Sequence, residues 1–123
     1  DVVLTQKDIR QVQLAIGAVR TGIDLLLEEA GLGAHAIVGI EVAGGFGYHV
    51  RPESLVRLGL IPPLWLDRVA FGGNTALTGA RMALVNSRVR ATADVLAGVV
   101  RTVDLAAHPE FQQRFLGALS FPA

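Results

Sequence analysis

A chain of 123 residues with 11 basic and 11 acidic side chains is one domain by size. Its balanced, scattered charge offers no electrostatic pull toward nucleic acid or an anionic membrane. The absence of cysteine excludes a disulfide scaffold, an iron–sulfur cluster and a thiolate zinc site within this segment, and no apolar run reaches the roughly 18 residues of a membrane span. Hydrophobic residues make up 51% of the chain and charged ones only 18%, against about 25% charged in ordinary domains. So apolar a chain of this length is expected to cover part of its surface with an interface. Together with a start that lacks Met and reads as the tail of a strand at Asp1–Leu4, this favours a fragment of a longer protein over an ordinary domain rich in Ala, Leu and Val; a cytoplasmic location is expected.

The first helix is capped by Thr5, with Asp8 in the position of a capping-box acid. Ile9, Val12, Ile16, Val19, Ile23, Leu26 and Ala30 follow at alternating spacings of three and four, which predicts one buried stripe. Ala15, Ala18 and Gly22 flank it as a strip of small residues suited to close packing on a sheet, and Gly17 and Gly22 lower helix propensity enough that close packing is the reason expected for them. Gly31 and Gly33 end the helix.

Ala36 to Ala43 reads as a buried strand, with Glu41 as an exposed or cleft-edge interruption. Pro52 opens a short helix to Leu58, stopped by Gly59. Arg68 to Phe71 is a second strand, and Trp65 packs the loop before it. Asn74 or Thr75 caps a helix to about Asn86, on which Ala76, Gly79, Ala80 and Ala83 form another small-residue face. Ser87 caps a further helix to about Arg101, Val103–Leu105 is a short extended piece, and Pro109 starts a last helix with Phe111, Phe115 and Leu119 on one face. Alternating strands and helices predict an α/β fold, a small, mostly parallel sheet covered by helices.

Two glycine turns follow the two strands, Gly44-Gly45-Phe46-Gly47 and Gly72-Gly73-Asn74. Glycine there lets the chain turn sharply and a ligand approach the main chain, and the carboxyl edge of an open α/β sheet is where ligands bind. Neither turn is a P-loop or a GxGxxG fingerprint, and no lysine is placed for phosphates. A flat, weakly charged group such as adenosine suits such a surface. Asn74 reads equally as a helix cap or as a polar contact at the cleft. Catalytic arrangements are missing: Ser54, Ser87 and Ser120 lack partner bases, Glu28 and Glu29 face different ways and are expected to be solvated, and His35, His49 and His108 are too scattered for a metal site.

Thr5 to Ala15, Val42-Ala43-Gly44-Gly45-Phe46-Gly47, Leu58-Gly59-Leu60-Ile61-Pro62, Gly73-Asn74-Thr75-Ala76, Gly79 to Leu84 and the ending Pro109 to Pro122 occur in that order. The set resembles the C-terminal region of the ATP-dependent reductive activators of corrinoid proteins, which carry an actin-like (ASKHA) ATPase domain. The resemblance covers nearly the whole chain. It implies part of an actin-like lobe in which Gly44, Gly45, Phe46 and Gly47 line the adenosine site, with Asn74 as a neighbour. It also implies ATP with Mg²⁺ as ligand and a corrinoid protein as partner, returned from Co(II) to Co(I). The phosphate loops, the catalytic acid and a [2Fe-2S] domain would lie upstream, so this segment alone would not be catalytic. The strand hairpin that opens the superfamily's lobe is missing apart from Asp1–Leu4. Two other readings stay open: a packing or dimerisation module that has lost nucleotide binding, and a sugar kinase or acyl-CoA dehydratase activator of the same superfamily. Contact with the remainder of its own chain and self-association are expected on any of them.

Overall fold

A computed structural model describes residues 2–45 and 49–122. In chain order the elements are α1 (Gln6–Glu29), β1 (Ile40–Ala43), α2 (Pro52–Arg57), β2 (Val69–Gly73), α3 (Thr75–Val85), α4 (Ser87–Val99) and α5 (Phe111–Gly117), with short 3-10 segments at Ala34–Ala36 and Pro63–Arg68. The α/β class stands. β1 and β2 pair in parallel, Ile40 opposite Val69 and Val42 opposite Phe71, joined by the crossover that contains α2.

Local chemistry explains the ends of these elements. The Thr5 hydroxyl accepts from the Asp8 N–H while the Asp8 carboxylate accepts from the Thr5 N–H at 2.9 Å, a complete capping box. Gly31 and Gly59 close α1 and α2 in the same manner. Both have positive φ, 65° and 76°. In each, the glycine N–H and the next N–H reach back to the carbonyls left free by the last turn: Gly31 to Glu28 and Leu32 to Leu27, Gly59 to Val56 and Leu60 to Leu55. These are Schellman caps, which need a left-handed residue at that position.

The core sits between the second half of α1, α2 and the amino ends of the strands. Leu55, Ile61 and Trp65 are buried at its centre, with Ile23, Leu27, Ile40, Val42 and Val69 packed around them. The Trp65 indole N–H donates to the Ala34 carbonyl at 2.7 Å, and the Arg68 guanidinium donates to the Ile37 carbonyl. These two bonds shorten the strand expected over Ala36–Ala43. They draw backbone carbonyls of residues 34 and 37 toward the loop, so pairing begins only at Ile40.

Several expectations are corrected. The small-residue side of α1 packs on α5 and the loop before it: a Cβ at Gly17 would lie 3.1 Å from Leu119, and one at Gly22 3.0 Å from Leu105. The buried residues of α1 are accordingly Ile16, Gly17, Thr21, Gly22 and Leu25, whereas Val12, Val19 and Leu26 of the expected stripe are exposed. Burial follows the tightest approach, which the small residues permit. The Thr21 hydroxyl is buried there without a hydrogen-bond partner among the described residues. Val103–Leu105 is not a strand, because the Asp104 carboxylate accepts from the N–H groups of Ala106 and Ala107 and turns the chain. Asn86 rather than Ser87 caps α4, accepting from the Arg88 N–H at 2.9 Å, and α5 starts at Phe111, after a turn at 109–110. Glu28 is not merely solvated. It bridges to Arg114 at 2.7 Å, and Arg114 also pairs with Glu110, tying α5 to α1.

Helices α3 and α4 pack against each other and bury no side chain completely. Leu84, Val85, Val95 and Val99 stand open to solvent. The accessible surface is 9331 Å², whereas a compact monomer of 13.0 kDa exposes roughly 6,300 Å².

Candidate functional site

The two glycine turns meet at the carboxyl edge of the sheet. The Gly44 N–H donates to the Gly73 carbonyl at 2.7 Å, which continues the pairing one step past β1. The register shifts between Val42 and Ala43, so that Ala43 faces Gly73 and Gly72 is the extra residue of a bulge. A bulge at a strand end re-aims the chain beyond it, here the turn into α3. Gly44 and Gly73 have positive φ, 92° and 64°, a conformation that favours glycine.

Gly72 has no left-handed backbone and stands close to two side chains instead. A Cβ there would collide with the Glu41 carboxylate and would lie 2.9 Å from the Thr75 methyl group. Glu41 therefore sits at the cleft edge, across the bulge, as one of its two sequence readings has it. The closeness of Gly72 to Glu41 is not readable from the sequence, because the register shift that brings them together is a property of the pairing.

Gly45 is exposed, and a Cβ on it would meet no atom of the described residues within 4 Å. Its surroundings are open, as a main-chain ligand surface requires. Phe46 and Gly47, the other two residues expected at adenosine, lie outside the described residues. Asn74 caps α3: its Oδ1 accepts from the Leu77 N–H at 3.0 Å, and its carbonyl accepts from Thr78. The side-chain NH2 of Asn74 has no partner among the described residues, so the cap leaves a donor free at the cleft. The edge thus combines a left-handed glycine turn, an open glycine, an amide donor and a carboxylate. It brings Gly44, Gly45 and Asn74 to one side of the sheet. These features fit a nucleoside held by the main chain. They include no nucleophile with a base and, among the described residues, no group of three His, Cys, Asp or Glu side chains that could hold a metal ion.

Residues 1–123 match the family described as the C-terminal domain of RACo, the ASKHA domain. The chain is 32% identical over 116 residues to the corrinoid activation enzyme RamQ of Eubacterium limosum, covering 94% of this chain and 20% of that protein. It is 34% identical over 87 residues to a [Co(II) methylated amine-specific corrinoid protein] reductase of Methanosarcina barkeri, covering 70% of this chain and 16% of that one. A solved structure described as a reductive activator for corrinoid, iron-sulfur protein superposes with a TM-score of 0.91 at 29% identity, over 99% of this chain and 19% of the other. The chain therefore spans a fifth or less of the length of these relatives.

Proposed function

The chain belongs to the family of the C-terminal ASKHA domain of RACo, and from that premise we propose that it is the adenosine-side wall of an ATP-dependent reductive activator of a corrinoid protein. The observation that carries this reading is the joined pair of glycine turns, Gly44 bonded to Gly73 with Gly45 open beside it. The main chain at Gly44 and Gly45 would take the face of adenosine, and the free amide of Asn74 would donate to it. Phe46 and Gly47 complete the set by resemblance. ATP with Mg²⁺, when bound, supplies the binding energy that favours a closed form of the whole protein, and closure would couple to an unfavourable electron transfer from a [2Fe-2S] cluster to Co(II), yielding Co(I). With no cysteine here, such a cluster belongs to another part of a longer chain. The names of the relatives favour corrinoid activation over a sugar kinase or dehydratase activator.

The bare faces of α3 and α4 support contact with the remainder of that longer chain. The surface excess is roughly 3,000 Å² over a compact monomer of this mass, well above the ~800 Å² that one partner contributes to a standard interface. The same faces also favour a second reading, a packing module without nucleotide, in which self-association would cover them.

Calorimetric titration of ATP into the full-length protein and its Gly45→Val variant separates the two. The described residues leave open space at Gly45, so with the variant's fold verified by circular dichroism, binding by the parent that the variant loses assigns adenosine to this turn. A folded full-length protein that binds no ATP leaves the packing module.

A further inference from the structure

The opposite edge of the sheet carries a second site. A cavity of about 730 Å³ opens there, within the roughly 300–1,000 Å³ of small-molecule sites. Its lining comes from Ala34, ahead of β1, and from the segment between Leu60 and Trp65, ahead of β2. The strands are parallel, so both amino ends share this edge and the glycine turns share the other.

The inner wall is hydrocarbon: Ile23 and Leu27 from α1, Leu60 and Pro62 from the loop, and Trp65, whose only donor is spent on the Ala34 carbonyl. Two arginines reach the same cavity from different elements, Arg20 from α1 and Arg57 from the end of α2. Neither makes an ion pair or a side-chain hydrogen bond among the described residues; the arginines that do are Arg68, Arg90 and Arg114. Asp24 is the one carboxylate in the lining, so two arginines against one aspartate leave a net charge of +1. An apolar wall beside unpaired guanidinium groups is complementary to an amphiphile with an anionic head, because guanidinium forms its strongest hydrogen bonds with carboxylate-like oxygens.

We propose that this cavity binds a small amphiphilic carboxylate, its chain against Ile23, Leu27 and Trp65 and its head between Arg20 and Arg57. The site is independent of the nucleotide reading, since it lies at the other edge of the sheet and is probed without ATP.

Calorimetric titration of the full-length protein with decanoate tests it, beside octanoate and decyltrimethylammonium. Saturable 1:1 binding of decanoate is expected, with octanoate weaker by about fourfold per missing methylene and no binding of the cation at this site. The Arg20→Gln, Arg57→Gln double variant, its fold checked by circular dichroism, loses decanoate affinity by at least about tenfold. Asp24→Asn, which removes the opposing charge, strengthens binding. Absence of saturable binding, equal affinity for the cation, or decanoate binding untouched by the double variant overturns the proposal; the last result would assign the amphiphile to the exposed face of α3 and α4.

Discussion

Gly31 and Gly59 occupy the same position in the same kind of helix cap, yet their surroundings differ, and this makes them a matched pair. A Cβ at Gly31 would meet nothing within 4 Å, whereas one at Gly59 would lie 2.8 Å from both Cγ and Cδ of Pro122. Alanine at Gly31 therefore carries only the left-handed penalty, about 1–2 kcal/mol, partly offset by about 0.4–1 kcal/mol from a less flexible unfolded chain. A net loss of about 1 kcal/mol is expected. Alanine at Gly59 carries the same term plus a squeeze. Carbon atoms rest about 3.5–4.0 Å apart, so Pro122 must retreat by nearly an ångström; because Pro122 is exposed, the squeeze sits at the low end of core overpacking, about 1 kcal/mol. Gly59→Ala should thus lose about 2 kcal/mol. Pro122→Gly in the same chain should return the loss to the level of Gly31→Ala. Urea unfolding followed by circular dichroism and by the fluorescence of Trp65, the chain's single tryptophan and a buried core residue, measures all three variants. Equal losses for Gly31→Ala and Gly59→Ala would refute the contact with Pro122. No loss in either would refute the left-handed cap itself.

Thr21→Val should stabilise the protein by about 1–2 kcal/mol in the same assay, because it replaces an unpartnered buried hydroxyl with a methyl group of similar shape; a loss would mean that the hydroxyl has a partner. The Asp8 carboxyl is held below its ordinary value of 3.8, first by the Thr5 hydroxyl and then by the Thr5 backbone N–H. Its contribution is accordingly full above pH 3.8 and fades as pH falls through the lowered folded value. Asp8→Asn should flatten that part of the acid-unfolding curve, and an unchanged curve counts against the capping box. Asn74→Ser keeps a good cap but deletes the free amide. Stability should stay within about 0.5 kcal/mol while the ATP affinity of the full-length protein falls. Loss of stability with unchanged affinity would make Asn74 a cap alone.

Local signals in the sequence carried well into the structure. Thr5 with Asp8, Gly31, Gly59 and Asn74 act within a few residues of themselves, and each ends its helix as read. Long-range effects were invisible. The loss of Ala36–Gly39 from the strand depends on Trp65 and Arg68, some thirty residues away. The choice of the small-residue side of α1 over the Val12–Val19–Leu26 side depends on α5, whose Leu119 and Phe115 need the room that Gly17 leaves. Periodicity finds an apolar stripe but not which partner covers it. At the site, the glycine turns were legible as turns, while the bond from Gly44 to Gly73 and the closeness of Glu41 to Gly72 arise only from the register of β1 on β2.

The pairing of α1 with α5 bears on the order in which the chain assembles. Gly17 meets Leu119 and Phe115, a closure of roughly a hundred residues, whereas β1 finds β2 across roughly 25, and the longer loop is entropically the harder to close. The strand crossover with Trp65 should form early and the seam between first and last helices late. Kinetically, Leu119→Ala should then hasten unfolding with little change in the folding rate, while Leu55→Ala should slow folding. Within residues 1–123, the seam between α1 and α5 would then be the point of release, the place where unfolding begins.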